Sequence, residues 1–295
     1  MSPVSDALAV KPAFEDRNDI FTNVNPLWRP DGMKAVFGGA LMSQALNAAL
    51  QTVGPSWSVQ SMHCQFTSAA NIDSPVFYHV HGMDSKKTFL VCNVSARQQE
   101  RLIITATLRF TRSSYSVGTG LQHATPKPKI YLGPDPKHYR SGEGTAKGLC
   151  EFKTAPDPSC DPQSPAGNRF RRLVRLRSRI PHPAGTRDHV VALAAVTDTY
   201  CLGTPGRAHG LSLLRPSEAS GEAEAQWKVR QMGTLSHSIH FLNPQAVCLN
   251  EWMLEETWCP WAGDERGLVM LHLWSQDGVL LAVCTQEVCD PLPST

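Results

Sequence analysis

From Gly233 to Val288 the chain alternates apolar and polar positions in four successive runs. The first, Gly233–Phe241, has a rough two-residue period, which predicts a strand with one covered face. Asn250–Trp258, Arg266–Ser275 and Val279–Val288 repeat the pattern. Gln276-Asp277-Gly278 between the last two marks a tight hairpin, because Asp-Gly tolerates positive φ. Four strands with short turns describe an antiparallel sheet that needs a cover on one face. The same order occurs earlier in the chain. Val59–Phe66, Val76–Gly82, Thr88–Gln98 and Leu102–Thr111 are strand-like, the last two joined by Gln99-Glu100-Arg101.

Each set follows an apolar, alanine-rich helical stretch. From about Ala40 to Val53, residues Met42, Ala45, Leu46, Ala49, Leu50 and Val53 keep helical spacing, and Gly54-Pro55 ends the run. Thr186–Leu202 is its counterpart, with Gly203 just beyond. Ser61–Phe66 corresponds to Ser236–Phe241 at an offset of 175, and the hairpin arms at 88–110 and 267–288 at about 178. A repeat of that length is a duplicated domain. The expected organisation is an N-terminal arm over 1–30 with at most one strand, near Ile20–Val24, and a first domain over 31–112. A Pro/Gly/Ser-rich linker over 113–167 follows, partly disordered or wrapped over the surface. The second domain runs over 168–290, opening on a strand at Phe170–Ile180, and 291–295 form a tail.

Composition narrows the function classes. A chain of 295 residues with 41% hydrophobic and 18% charged residues suits a soluble globular protein with a good core. A formal net charge of +2 gives no general case for nucleic acid or an anionic membrane as partner. Nine cysteines without a Cys-x-x-Cys pair point to reduced thiols in an intracellular protein. No apolar run is long enough to span a bilayer, and the N-terminal residues do not read as a signal peptide.

A sheet wrapped on a central helix, present twice, is a double hotdog, an α+β fold. Val36-Phe37-Gly38-Gly39 followed by Gln44-Ala45-Leu46 carries one part of a resemblance. Thr234 with His237-Ser238 and Phe241, and Arg266-Gly267-Leu268-Val269 through Gln276-Asp277-Gly278 to Gln286-Glu287, carry the rest. Together they resemble the acyl-CoA thioesterase II family over roughly 32–112 and 168–290, most densely near the C-terminal end. The resemblance implies hydrolysis of acyl-CoA to a free acid and CoA, with no cofactor. It also implies a water-activating trio: an Asp on the second helix, a Ser or Thr opening the next strand, and a Gln on the last strand. Asp198, Thr234 and Gln286 match those positions. Association through the hotdog sheets into a homo-oligomer fits the same fold. The expected compartment is cytoplasmic; peroxisomal residence fits the family, but Pro293-Ser294-Thr295 is no Ser-Lys-Leu signal.

The trio also stands on its own chemistry. Asp198 near the end of an apolar helix faces the negative end of the helix dipole, and burial would raise its pKa, which suits a general base. A hydroxyl and a carboxamide beside it can orient one water, since both donate and accept hydrogen bonds. Gly38 and Gly39 at a helix N-terminus let backbone approach either a bound substrate or a neighbouring element. Arg175 and Arg177, with Arg171 and Arg179, share a strand face that meets either CoA phosphates or solvent.

Other candidates are weaker. His237 and His240 point to opposite strand faces, and His79 with His81 lacks a third ligand, so no metal site is expected. Cys201 reads as a structural thiol. No Gly-x-Ser-x-Gly elbow occurs, which disfavours a serine hydrolase. The chain departs from the family pattern at Ser236, at Ser68-Ala69-Ala70-Asn71, at Cys92 and Asn93, and at Val288. These changes fit an unusual acyl group. Two alternatives are a hotdog hydratase or dehydratase acting on a thioester-bound chain, and an acyl-CoA-binding protein whose machinery has decayed.

Overall fold

A computed structural model describes residues 4–29, 34–112, 121–130, 149–154, 160–161, 163–210 and 232–289. Its framework is one antiparallel sheet of twelve strands. In chain order these are β1 (Val10–Phe14), β2 (Arg17–Asn23), β3 (Trp57–Phe66), β4 (Phe77–Ser85), β5 (Phe89–Gln98) and β6 (Arg101–Arg112). The second set is β7 (Cys150–Thr154), β8 (Phe170–Leu176), β9 (Gly233–Phe241), β10 (Met253–Gly263), β11 (Arg266–Trp274) and β12 (Leu280–Cys289). Their spatial order is β1-β2-β4-β5-β6-β3-β9-β12-β11-β10-β8-β7, so the two sets join at the β3–β9 pair, where His63 faces Ser238.

Both predicted helices form, as α2 (Gly38–Thr52) and α3 (Arg187–Thr197); α1 (Val4–Ala7) and α4 (Thr204–Ala208) are single short turns. Buried residues run round α2 without a gap from Gly39 to Leu46, as expected of a helix covered on every side. One side meets the sheet and the other meets α3, where Ser43 Oγ donates to the Val191 carbonyl at 2.8 Å. Small side chains permit the crossing: a Cβ on Gly39 would lie 2.9 Å from the Ala195 carbonyl oxygen. Arg187 spans the far end, donating to the Leu50 carbonyl in the last turn of α2 and to the Val53 and Gly54 carbonyls just beyond it. The two helices and both sheet halves share one apolar core. This is a double hotdog.

The duplication extends to turn chemistry. β5 and β6 are joined at Gln99 and Glu100, β10 and β11 at Asp264 and Glu265, and all four residues have positive φ. Both turns lie at the same place in the repeat although neither contains glycine at those positions. The Asp277-Gly278 hairpin is as expected, with Gly278 at φ 90°.

Three expectations need correction. The N-terminal arm holds two strands, and the β1–β2 hairpin extends the first half of the sheet along β4. Exposed Lys11, Pro12, Arg17 and Asn18 hide that alternation in the sequence. The region 113–167 contributes edge strand β7, paired with β8, and its Thr125 carbonyl accepts from Trp274 Nε1 at 3.0 Å. The remainder at 113–120, 131–148, 155–159 and 162 lies outside the described residues, as does the tail at 291–295. Finally, helix α3 stops at Thr197, so Asp198 caps it and a 3-10 turn over Cys201–Gly203 follows.

Candidate active site

The trio converges at the point where the two helices cross. Asp198 sits just past the C-terminus of α3 and is 3% exposed. Gln286 is on the inner face of β12, 1% exposed. Its Nε2 donates to Asp198 Oδ1 at 2.8 Å and to Thr234 Oγ1 at 2.7 Å. The Thr234 hydroxyl donates to the same carboxylate oxygen at 3.3 Å. Strict alternation along β9 would turn Thr234 outward, since His237, Ile239 and Phe241 are the buried positions. A bulge decides otherwise. Glu287 pairs with Ser236 but Val288 with Thr234, so Leu235 is the extra residue and Thr234 swings to the inner face.

The electrostatics of Asp198 follow from its position between two helix ends. Burial pushes its pKa up to about 7, against hydrogen bonds from Gln286, the Gly39 backbone N–H and Thr234 that favour the carboxylate. The α3 carbonyls behind it oppose a negative charge, whereas the open N–H groups of the first turn of α2 favour one. The Gly38-Gly39 pair is thus placed against the carboxylate itself: a Cβ on Gly38 would lie 3.1 Å from Asp198 Oδ2. Such a carboxyl can exchange a proton near neutral pH.

His237, part of the family motif and no metal ligand by its spacing, belongs to this cluster as well. It is fully buried, with Nδ1 3.9 Å from Asp198 Oδ1 and burial lowering its pKa to about 4. His240 is exposed on the opposite face. Cys201 is buried, and burial drives its thiol well above the usual value.

Arg175 and Arg177 are not drawn to the trio. Arg175 pairs with Glu151 at 2.7 Å and stacks on Trp252, and Arg177 donates to the Cys150 carbonyl. The arginine that faces inward is Arg172, at 3% exposure. It donates to buried Glu255 from two nitrogens, at 2.8 and 3.0 Å, and to the Thr199 hydroxyl, and it stacks on Tyr200. It therefore grips the turn immediately after Asp198. In the first half, Cys92 is buried in the core and Asn93 accepts from Thr107 at 2.7 Å.

Two hotdog layers in one chain, with a buried acid and amide and a part-buried hydroxyl in contact, define a tandem-hotdog protein. Comparison with known proteins gives the family. The pattern of the acyl-CoA thioesterase C-terminal domain matches residues 134–289, and that of the acyl-CoA thioesterase N-terminal domain matches residues 25–111. Acyl-coenzyme A thioesterase 8 of Mus musculus is 31% identical over 88% of this chain and 81% of its own length. Acyl-CoA thioesterase 2 of Haemophilus influenzae is 25% identical over 87% of both chains. Among solved structures, the acyl-CoA thioesterase II TesB2 of Mycobacterium marinum superposes with a TM-score of 0.74 at 22% identity, over 98% of each chain. The chain belongs to the acyl-CoA thioesterase family, and it is a thioester hydrolase. Among the described residues, no helix is long and apolar enough to cross a membrane.

Proposed function

We propose that this enzyme hydrolyses acyl-CoA by direct attack of a water that Asp198 deprotonates. The observation that carries the proposal is the three-way contact of Asp198, Thr234 and Gln286 around a carboxyl whose burial sets its pKa at about 7. Near neutral pH a large fraction of Asp198 is ionised yet basic enough to take a proton. Thr234 and Gln286 orient the water. As the oxygen bonds to the thioester carbon, negative charge grows on the carbonyl oxygen, and a backbone N–H at the start of α2 stabilises it. One such donor is typically worth about 2.7–4 kcal/mol. The C–S bond then breaks, and the proton held by Asp198 passes to the CoA sulfur.

Gly38 and Gly39 are proposed to bind the thioester end of the substrate, where a side chain at Gly38 would crowd Asp198 Oδ2. Arg175 and Arg177 are proposed contacts for the CoA phosphates on charge alone; replacing both by Gln should raise KM and leave kcat in place. The proposed setting is the cytoplasm, a reducing compartment that suits nine cysteines without a Cys-x-x-Cys pair. A homo-oligomer through the outer sheet faces is proposed as well, with exposed cross-strand neighbours Trp261 and Leu268 at its apolar centre.

The test is thiol release from a panel of acyl-CoAs by wild type and Asp198→Asn. Loss of a general base should lower the rate on the order of 10²–10⁴-fold. Equal rates would remove Asp198 from the mechanism.

A further inference from the structure

His237 is the one member of the buried cluster that water activation leaves without a task. It lies on β9 opposite Gln286 of β12, and the Gln286 side chain reaches its ring. One tautomer fits the contact with Thr197. With the hydrogen on Nε2, His237 donates to Thr197 Oγ1 at 3.1 Å and the Thr197 hydroxyl donates to the Ala194 carbonyl at 2.9 Å. In that tautomer Nδ1 is a bare acceptor; the other would let Nδ1–H donate to Gln286 Oε1 with no rotation. Nδ1 has no donor, and neither does the buried Gln286 Oε1. Two acceptors left in this way are costly inside a protein.

Half a turn of the Gln286 carboxamide exchanges its oxygen and nitrogen. Nε2 then points toward Nδ1 and can donate to it. Oε1 takes the position now 2.8 Å from Asp198 Oδ1 and 2.7 Å from Thr234 Oγ1. The observed orientation suits a carboxylate, which accepts; the turned one suits a carboxylic acid, which donates. Each orientation thus fits one protonation state of Asp198.

We propose that the Gln286 amide turns over with the proton on Asp198, and that His237 is the positioning residue that holds the turned form. This rests on the general-base role proposed above. In the resting enzyme the amide donates to the carboxylate and to Thr234. When Asp198 has taken the proton of the attacking water, its O–H donates to Oε1 and Nε2 donates to His237 Nδ1. Delivery of that proton to the departing sulfur restores the first orientation. The rotation itself makes and breaks only hydrogen bonds.

The remaining groups around the carboxylate do not compete for this proton. Cys64 on β3 and Cys201 beyond α3 face Asp198, and Cys284 on β12 meets Thr197; burial raises all three thiols, which stay neutral. Glu255 lies beyond Cys201, bound to Arg172. His237, lowered to about 4 by burial, remains a neutral acceptor while Asp198 titrates.

The experiment combines two readouts on the full chain. In protein carrying isotope-labelled histidine, the Nδ1 resonance of His237 should move toward its hydrogen-bonded position as pH falls through about 7, and should stay still in Asp198→Asn. In the pH profile of kcat/KM, His237→Leu offers no acceptor and weakens the protonated form of Asp198. Its acid limb should shift to lower pH by roughly one unit, the equivalent of one lost hydrogen bond. His237→Asn places an acceptor near the Nδ1 position and should restore the limb. An Nδ1 signal unchanged across this range overturns the rotation, and so does a limb that stays put in His237→Leu or moves equally in both variants. The spectra need no His237 variant, so a Leu protein that fails to fold leaves the test intact. The hydrolase reading fails separately, if Asp198→Asn releases thiol at the wild-type rate.

Discussion

Gln286 Nε2 lies 2.8 Å from Asp198 Oδ1, although 88 positions separate the two residues in the chain. The same nitrogen holds Thr234, so one carboxamide ties strands β9 and β12 to the end of α3. Gln286→Ala should therefore cost about 10²-fold in kcat, because the carboxylate and the hydroxyl lose the group that aligns them. Thr234→Ser should keep most activity and Thr234→Val lose most of it. Steady-state thiol release measures all three.

The activity should depend on pH through Asp198. With its pKa at about 7, kcat/KM should rise tenfold per unit below that value and level off above it. A flat profile down to pH 5 would show that a group other than this carboxylate takes the proton.

The same burial has a cost in stability. A carboxyl whose pKa is raised on folding stabilises the native state fully only below its unfolded pKa, and that contribution is lost as pH rises through the folded value. Asp198→Asn should therefore match wild type near pH 3.5 and exceed it progressively from about pH 4 to 7. At pH 8 the gain should be on the order of 2–4 kcal/mol, read from denaturant midpoints. A variant less stable than wild type at pH 8 would show that the carboxylate is not strained by burial.

Two glycines should fail in different ways. A methyl at Gly38 would press on Asp198 Oδ2 at 3.1 Å and on the Phe66 ring, so Gly38→Ala should lower activity by up to about 10²-fold with little change in stability. At Gly39 a methyl would meet the Phe37 ring at 2.6 Å and the Ala195 backbone carbonyl at 2.9 Å, and Gly39→Ala should lose about 1–3 kcal/mol by displacing the ring and forcing α2 off α3. Thermal melts alongside kinetics separate the two.

Arg172→Met would leave Glu255 buried without its partner, a loss of about 3–5 kcal/mol. Adding Glu255→Leu should recover most of it, as a double-mutant cycle would report. Activity should recover less than stability, because the grip on Thr199 and Tyr200 next to Asp198 is still gone.

Much of this was legible in the residues. The two-residue periods set out eight strands, the alanine-rich runs set out both helices, and the offset near 175 exposed the duplication. Resemblance named the trio, and geometry brings it together. What stayed hidden has physical reasons. A bulge leaves no mark at Leu235, so alternation alone would have faced Thr234 to solvent. Polar residues on β1 and β2 and the proline-rich surroundings of β7 masked short edge strands. Arg172 did leave a signal: it shares parity with Phe170, Val174 and Leu176, all buried, as an inward-facing cation must. In the sequence His237 reads as part of the family motif and as a rejected metal ligand, and its contact with Thr197, 40 positions away, follows no sequence pattern.

The most direct measurement is a single turnover with enzyme in excess, in water enriched in the heavy oxygen isotope. Direct attack predicts that the released acid carries solvent oxygen from the first turnover and that the peptide containing Asp198 remains unlabelled. An acid product bearing oxygen from the protein, with the heavy isotope appearing in the Asp198 carboxylate, would contradict the account and assign that residue as a nucleophile.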